Sequence, residues 1–310
     1  MAIQHCFAGN SSVFRCPNAT CFCKPVWRDD EVHSIDGVTY STKYGLGLRL
    51  FTPPFNGPRR DRRAKRPAIV AIHGGHFEGG NRNESGIVEW CIRWARVGIV
   101  AISIDYRLLW KQLGHPKDIM HAMWDARAAI RWLRMHETNL SLDSERIGAF
   151  GSSAGGMTAV YLGTVAGGEG DSGNPGYSSR VHAVATLSAA RWPPPPGVSN
   201  VTAAEAAYLD FHGCADPFVP YDCTAPESQQ RIPCFSAVTT NQQLRSAGAK
   251  AALYPFPGAG HVPFDRLASP PAVETMLGFF VHALDLAHAE CPHAASMPTA
   301  FASSSTKAAQ

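Results

Sequence analysis

The sequence predicts an α/β protein in which helices cover both faces of a mostly parallel, twisted sheet. Apolar runs of strand length alternate with longer segments of helical periodicity along most of the chain. Several of these runs are continuous rather than alternating, as in strands buried on both faces. The 310 residues are 45% hydrophobic and 17% charged, which is a globular composition able to bury a substantial core.

The strands are predicted from runs bounded by glycine, proline or charged residues. Segment 37–54 predicts two short strands, and the run 67–75, PAIVAIHGG, ends in glycines as buried strands often do. Further strands are predicted in segments 99–108, 144–150, 181–189, 206–213 and 251–257.

The helices are predicted from apolar residues that recur on one stripe. Segment 86–98, GIVEWCIRWARVG, has this spacing and stops at Gly98, and segment 115–136 carries a longer stripe. The other predicted helices are 153–167, 240–249 and 271–289.

The sequence predicts a cysteine-rich arm (1–34), one domain (35–290) and a mostly disordered tail (291–310). Residues 35–290 are assigned to a single domain because they contain no visible internal repeat or interdomain linker. Fewer than 20 residues separate the strands 181–189 and 206–213. They include RWPPPPG, so they leave no room for a large helical lid. An open site is therefore expected.

The segment IGAFGSSAGG places a G-x-S-x-G pattern between a predicted strand and a predicted helix, with Ser153 at its centre and Ser152 beside it. Glycines allow the chain to make a tight strand-to-helix turn that exposes a nucleophilic serine. Two later strand ends supply Asp216, in HGCADPFVPY, and His261, in PGAGH. In a parallel sheet, residues at the carboxyl ends of strands gather at one edge. We therefore predict that His261 removes the proton of Ser153 while Asp216 orients the imidazole.

An oxyanion site is predicted from HGGHFEGG, in which the amides of Gly75 and His76 join the amide of Ala154, the residue after the serine. Asp210 and Asp222 compete with Asp216 for the acid, but Asp210 lies within a strand and Asp222 lies well past its end. His212 lies in the same strand and is interpreted as structural.

Together these motifs, with DYRL and DSERIGAFGSSAGG, resemble α/β-hydrolase fold serine carboxylesterases of the hormone-sensitive-lipase-like and feruloyl- or acetyl-esterase-like groups. The resemblance runs from about residue 35 to residue 287. It implies ester hydrolysis without cofactor or metal, by Ser153, Asp216 and His261. His76 stands where many relatives have a third glycine, and the arm is short for a helical cap.

The sequence separates ester substrates poorly. Phe77, Tyr106 and Trp192 are candidate residues for the walls of the substrate pocket. Trp192 could equally be a core residue that packs against the prolines that follow it. Small-molecule or polymeric esters remain open as substrates, including feruloyl, acetyl-xylan and polyester substrates. Arylformamidase activity and a non-catalytic binding module are alternatives.

Two cysteine clusters predict disulfides and an oxidising compartment, with Cys91 unpaired and a zinc site as the alternative for the first cluster. Five glycosylation sequons agree with a secreted glycoprotein, although the first ten residues lack the apolar region of a signal peptide. They begin at Asn10, Asn18, Asn83, Asn139 and Asn200.

The net charge is only +3, and no segment is an uninterrupted apolar span, so neither nucleic acid nor stable membrane insertion is expected. The basic run 59–66, RRDRRAKR, is interpreted as a solvated loop, with an anion-binding patch or a processing site as alternatives.

Overall fold

Eight strands form one sheet in the computed structural model, which describes residues 14–17, 21–109, 117–165, 168–192, 206–223, 235–289 and 291. The strands are β1 (His33–Ser41), β2 (Leu46–Thr52), β3 (Arg66–Ile72), β4 (Val100–Ile104), β5 (Leu142–Ser152), β6 (Ala183–Leu187), β7 (Ala207–Gly213) and β8 (Ala251–Phe256). Their order is β1-β2-β4-β3-β5-β6-β7-β8, in which β2 runs antiparallel to both of its neighbours, β1 and β4, and all other neighbours are parallel. The predicted α/β architecture is confirmed.

Five helices of more than one turn pack on this sheet within the described residues. They are α1 (Ser85–Arg96), α2 (Lys117–Met135), α3 (Ala154–Thr164), α4 (Ala237–Ser246) and α5 (Pro270–Ala283). Helix α4 begins three residues before the predicted segment, because Ser236 accepts the amide hydrogen of Thr239 and caps the helix.

The core lies in two layers because successive residues of the buried strands point to opposite faces of the sheet. Val70 of β3 packs in the layer that contains helices α2 and α3, whereas Ile69 packs in the layer that contains Trp94 of α1 and Phe280 of α5. Both faces are thus covered, and the carboxyl ends of β3, β5, β6, β7 and β8 meet along one open edge.

The cysteine-rich arm is attached to this body. Disulfides join Cys16 to Cys23 and Cys21 to Cys291, so these cysteines form disulfides rather than the alternative zinc site. Phe22 is fully buried between them, and Cys91 is a free, buried cysteine, as predicted. The predicted tail beyond residue 291 lies outside the described residues.

The basic run is not a uniformly solvated loop. Asp61 is buried and binds two arginines of the run, Arg63 at 2.7 Å and Arg66 at 2.9 Å. These three side chains tie the loop to the sheet, and only part of the run faces water.

Asn83 and Asn139 are exposed, as glycosylation would require, whereas the other three sequons lie outside the described residues. No helix in the described part of the chain is both long and apolar enough to cross a membrane.

Candidate active site

Ser153 occupies the tight turn between strand β5 and helix α3. Its backbone has φ 50° and ψ −118°, a conformation that costs a non-glycine residue about 1–2 kcal/mol. A Cβ on Gly151 would lie 2.2 Å from the Gly155 carbonyl oxygen, and a Cβ on Gly155 would lie 2.2 Å from the Ile72 oxygen. The glycines are therefore required by close backbone contact, which fixes the serine at the sheet edge.

The structure brings the three predicted side chains together from three strand ends. The Ser153 hydroxyl lies 2.9 Å from His261 Nε2, and His261 Nδ1 lies 2.7 Å from Asp216 Oδ2. In the neutral tautomer that matches these contacts, Nδ1–H donates to the carboxylate and Nε2 accepts from the hydroxyl. This arrangement can remove a proton from Ser153.

Asp216 is held in its ionised form by its surroundings. Its other oxygen, Oδ1, accepts the amides of Phe218 at 2.9 Å and Val219 at 3.0 Å. Burial alone would raise the pKa of Asp216, but the hydrogen bond from His261 and these two amides hold it below its ordinary value. The carboxylate can therefore stabilise a positive charge on His261.

The predicted oxyanion donors lie beside the serine. Gly75, His76 and Ala154 line the same cleft as Ser153. Ala154 is the first residue of helix α3, where amides have no acceptor within the helix. His76 and Phe77 have positive φ angles of 58° and 60°, so the loop after β3 takes a strained path around the serine.

These residues surround a cleft of about 430 Å³ at the carboxyl edge of the sheet. Its lining residues are Gly74, Gly75, His76, Phe77, Glu84, Ser152, Ser153, Ala154, Met157, Trp192, Phe218, Val219, His261 and Val262. Phe77 and Trp192, which the sequence analysis gave as candidate wall residues of the substrate pocket, both line this cleft.

Tyr106 does not line the cleft, which corrects its predicted role. It is buried behind the loop, its ring stacks on His73 with centroids 4.4 Å apart, and its hydroxyl donates to the carbonyl oxygens of His73 and Gly74 at 3.1 Å. Tyr106 therefore supports the loop from beneath instead of touching a substrate.

Of the cleft residues that the sequence analysis did not single out, Phe218 and Glu84 have contacts that bear on function. Phe218 has 77% of its surface exposed and its ring centroid lies 5.3 Å from that of His261. Glu84 accepts the Gly74 amide at 3.2 Å, and burial raises its pKa above the ordinary glutamate value. The only sequence signal for Phe218 was its place two residues after the predicted acid.

One rival for the acid, Asp210, lies elsewhere. Asp210 contacts His212 and Thr186 rather than His261. The described residues contain no cluster of three or more histidine, cysteine or acidic side chains that could hold a metal ion.

The known proteins that this chain resembles include several ester hydrolases. Residues 58–190 match the BD-FAE family model. The chain is 32% identical over 119 residues to esterase LipI of Mycobacterium tuberculosis and 30% identical over 135 residues to an ethyl acetate hydrolase of Pseudomonas putida. These matches cover 38% and 43% of this chain, and 33% and 39% of the two relatives. The chain thus spans between a third and two fifths of the length of the relatives it matches.

Solved structures match over more of the chain. Thermogutta terrifontis esterase 2 with bound butyrate has a TM-score of 0.62 and 24% identity, covering 82% of this chain and 95% of that one. The same esterase phosphorylated by paraoxon has a TM-score of 0.60 and 25% identity, with the same coverage. The two folds therefore correspond over nearly the whole length of the esterase.

Proposed function

From the α/β-hydrolase fold that this chain has in common with solved esterases, we propose that it is a serine hydrolase that cleaves carboxylic esters through an acyl-enzyme on Ser153. The observation that carries this proposal is the hydrogen-bonded line from Ser153 through His261 to Asp216, built from three strand ends. The matches to an esterase and an ethyl acetate hydrolase support the same reaction class.

In the first half of the reaction, His261 Nε2 takes the proton of Ser153 as Oγ attacks the acyl carbon. The carbonyl oxygen becomes an oxyanion that accepts the amides of Gly75, His76 and Ala154. The ester C–O bond then breaks, and His261 returns the proton to the departing alcohol. Asp216 stabilises the charged imidazole between these two steps.

In the second half, water replaces the alcohol. His261 removes a proton from water, the resulting hydroxide attacks the acyl-enzyme, and the Ser153–acyl bond breaks as Ser153 recovers its proton. The products are a carboxylic acid and an alcohol. No cofactor enters either step.

The test compares two adjacent serines. Hydrolysis of p-nitrophenyl esters from acetate to palmitate is measured for the wild type, Ser153→Ala and Ser152→Ala. We expect Ser153→Ala to lower kcat by about 10³-fold or more. Ser152→Ala serves as the matched control because its hydroxyl is buried and has no hydrogen-bond partner in the described part of the chain. Equal activity in Ser153→Ala and the wild type would contradict the proposal.

Covalent labelling gives an independent readout. Thermogutta terrifontis esterase 2 is phosphorylated by paraoxon, and we expect one phosphoryl adduct per chain of this protein, located on Ser153 by peptide mass spectrometry. Labelling that persists in Ser153→Ala would place the nucleophile elsewhere.

We infer that the substrate joins a short acyl group to a bulkier alcohol or aryl portion. Structures of the Thermogutta esterase hold butyrate and propionate, while the rim of this cleft carries the exposed ring of Phe218 and Trp192. A chain-length optimum at butyrate or below is expected. Feruloyl esters, acetylated xylan, a polyester and an N-formyl arylamine then distinguish the alternatives by their relative kcat/KM.

We further infer export to an oxidising compartment as a glycoprotein. Cys16, Cys21, Cys23, Cys214, Cys223 and Cys291 are all disulfide-bonded, and disulfides persist mainly outside the cytosol. Expression in eukaryotic cells, followed by glycosidase treatment of the medium and cell fractions, tests this inference. An unglycosylated product retained in the cytosol would contradict it.

A further inference from the structure

A second histidine contacts the acid of the proposed active site. His212 is fully buried in strand β7, with Nδ1 2.7 Å from Asp210 Oδ2 and Nε2 2.8 Å from the Val219 carbonyl oxygen. The same Nε2 lies 3.5 Å from Asp216 Oδ2, the oxygen that also accepts from His261. One carboxylate oxygen is therefore approached by two imidazoles.

The hydrogen-bond partners of the two ring nitrogens of His212 show which of these nitrogens carry a hydrogen. A carbonyl oxygen only accepts hydrogen bonds, so Nε2 must carry a hydrogen. Asp210 Oδ1 already accepts the Thr186 hydroxyl at 2.6 Å and the Ala189 amide at 3.4 Å, so Asp210 enters this contact as a carboxylate. An ionised carboxylate also only accepts, so Nδ1 carries a hydrogen as well, and the ring is an imidazolium.

The direction of the pKa shift of His212 agrees with a hydrogen on both ring nitrogens. Burial would lower the pKa of His212, but the charge and hydrogen bond of Asp210, with smaller contributions from Val219 and Asp216, raise it above the ordinary histidine value. The cost of burying the imidazolium is offset by a carboxylate at hydrogen-bond distance.

We propose that His212 is a positioning residue for the ester hydrolysis described above: Asp210 keeps it as an imidazolium whose Nε2 donates to the Val219 carbonyl and lies 3.5 Å from Asp216 Oδ2, so that its charge holds that carboxylate in place beside His261. The proposal rests on the proposed function for its catalytic consequence, but the charge of His212 is measurable without turnover. His212 does not itself line the cleft, and its contacts toward the active site are with the Val219 carbonyl and Asp216.

The charges around His212 leave Asp210 and Asp216 as its acidic neighbours. Tyr221 lies with its ring centroid 6.0 Å away, and burial, with Asp210 and Asp222, raises its pKa, so it stays neutral. Strand β6 contributes the uncharged Thr186 to this group, and strand β8 pairs Pro255 with His212. The positive charge of His212 is therefore felt by His261 through the carboxylate they both approach.

The substitution that removes the imidazolium is Asp210→Asn, which takes away the carboxylate charge of Asp210 as well. The amide nitrogen that it introduces can donate to Nδ1, which leaves a neutral ring with its Nε2–H still on the Val219 carbonyl. The imidazolium charge that is lost lies on the Asp216 side of the pair and the carboxylate charge lost with it lies on the far side, so the acid limb of the kcat/KM profile should move to higher pH by roughly half a unit to one unit. Asp222→Asn is the control, since it makes the same chemical change near Tyr221 while the charges that raise the pKa of His212 are those of Asp210 and Asp216, and its acid limb should stay in place.

Nitrogen-15 NMR of histidine-labelled wild-type protein reads the charge directly. We expect both nitrogens of His212 to be protonated at pH 7, and only one in Asp210→Asn. A neutral His212 in the wild type, or an acid limb in Asp210→Asn that coincides with the wild type, overturns the proposal. Absence of esterase turnover in the wild type would instead refute the proposed function, while the spectrum still decides the charge of His212.

Discussion

Replacing Gly155 with alanine tests how the elbow positions Ser153. An alanine Cβ at this position would lie 2.2 Å from the Ile72 carbonyl oxygen and 2.3 Å from the His73 carbonyl oxygen. Both atoms belong to the backbone at the end of strand β3, so no side-chain rotation relieves the contact. Helix α3 and strand β3 must separate by roughly 1 Å to restore ordinary van der Waals distances.

Two magnitudes follow from that displacement. Overpacking of a close-packed interior costs about 1–3 kcal/mol of unfolding free energy. A misplacement of about 1 Å at the reacting atoms costs about 100-fold in rate. Because Ser153 directly precedes the helix that must move, we expect Gly155→Ala to lose about 100-fold in kcat/KM while the fold survives.

Gly79→Ala is the matched control. Gly79 lies in the loop after β3, a Cβ there would have no heavy atom within 4 Å, and its φ is not positive. We expect this variant to stay within about twofold of wild-type kcat/KM, with its stability changed by no more than about 0.5 kcal/mol. The assays are p-nitrophenyl butyrate hydrolysis and urea unfolding followed by tryptophan fluorescence. Wild-type kinetics in Gly155→Ala would refute the argument that close contact at this glycine positions the serine.

Three further predictions follow from other contacts. Burial would raise the pKa of Asp61, but the hydrogen bond and charge of Arg63, together with Arg66, hold it below its ordinary value. Asp61 therefore stabilises the fold above about pH 4 and loses this contribution as pH falls through its lowered pKa. Asp61→Asn should cost about 3–5 kcal/mol at pH 7 in urea unfolding and flatten this acid dependence, and a loss below about 1 kcal/mol would contradict it. Cys214 is disulfide-bonded two residues before Asp216, so mild reduction should lower kcat/KM before circular dichroism detects unfolding, and unchanged kinetics in the reduced enzyme would refute this. Phe218→Ala should raise KM for aryl esters about 5- to 30-fold and leave KM for ethyl acetate nearly unchanged, since an aromatic contact contributes about 1–2 kcal/mol, and equal effects on both substrates would contradict the rim assignment.

The elbow was predictable from the sequence because its backbone contacts leave room only for glycine. A Cβ on Gly151 or on Gly155 would lie 2.2 Å from a backbone carbonyl oxygen, so only glycine fits at either position. These glycines are visible in the sequence as part of the G-x-S-x-G pattern. The acid and the histidine were predictable for a different reason, since parallel strands end at one edge and only a few polar residues follow those ends. The observed contacts of His261 with Ser153 and with Asp216 match that expectation.

The cleft walls were less predictable because they depend on how loops fold back. Tyr106 follows strand β4, and its position predicted a residue of the pocket wall. Its hydroxyl instead hydrogen-bonds to two backbone carbonyls of the loop after β3, which keeps the side chain buried behind the cleft. Glu84 reaches the cleft through a hydrogen bond with the Gly74 amide, ten residues earlier in the chain. Neither contact leaves a periodic or compositional signal in the sequence.

Backbone strain identifies the same edge of the sheet without any reference to residue chemistry. Eight non-glycine residues in the described part of the chain have positive φ, and five of them follow the strands that border the cleft: His76, Phe77, Ser153, Ser188 and Val262. Ser188 accepts the Val262 amide at 3.0 Å and so links the strained turn after β6 to the residue beside His261. Strain of about 1–3 kcal/mol per residue persists only where the surrounding structure enforces it, and it concentrates at functional sites. Since this sheet enforces it at the turns that hold the serine, the histidine and the oxyanion loop, the geometry of Ser153 is imposed by the whole edge rather than by the elbow alone.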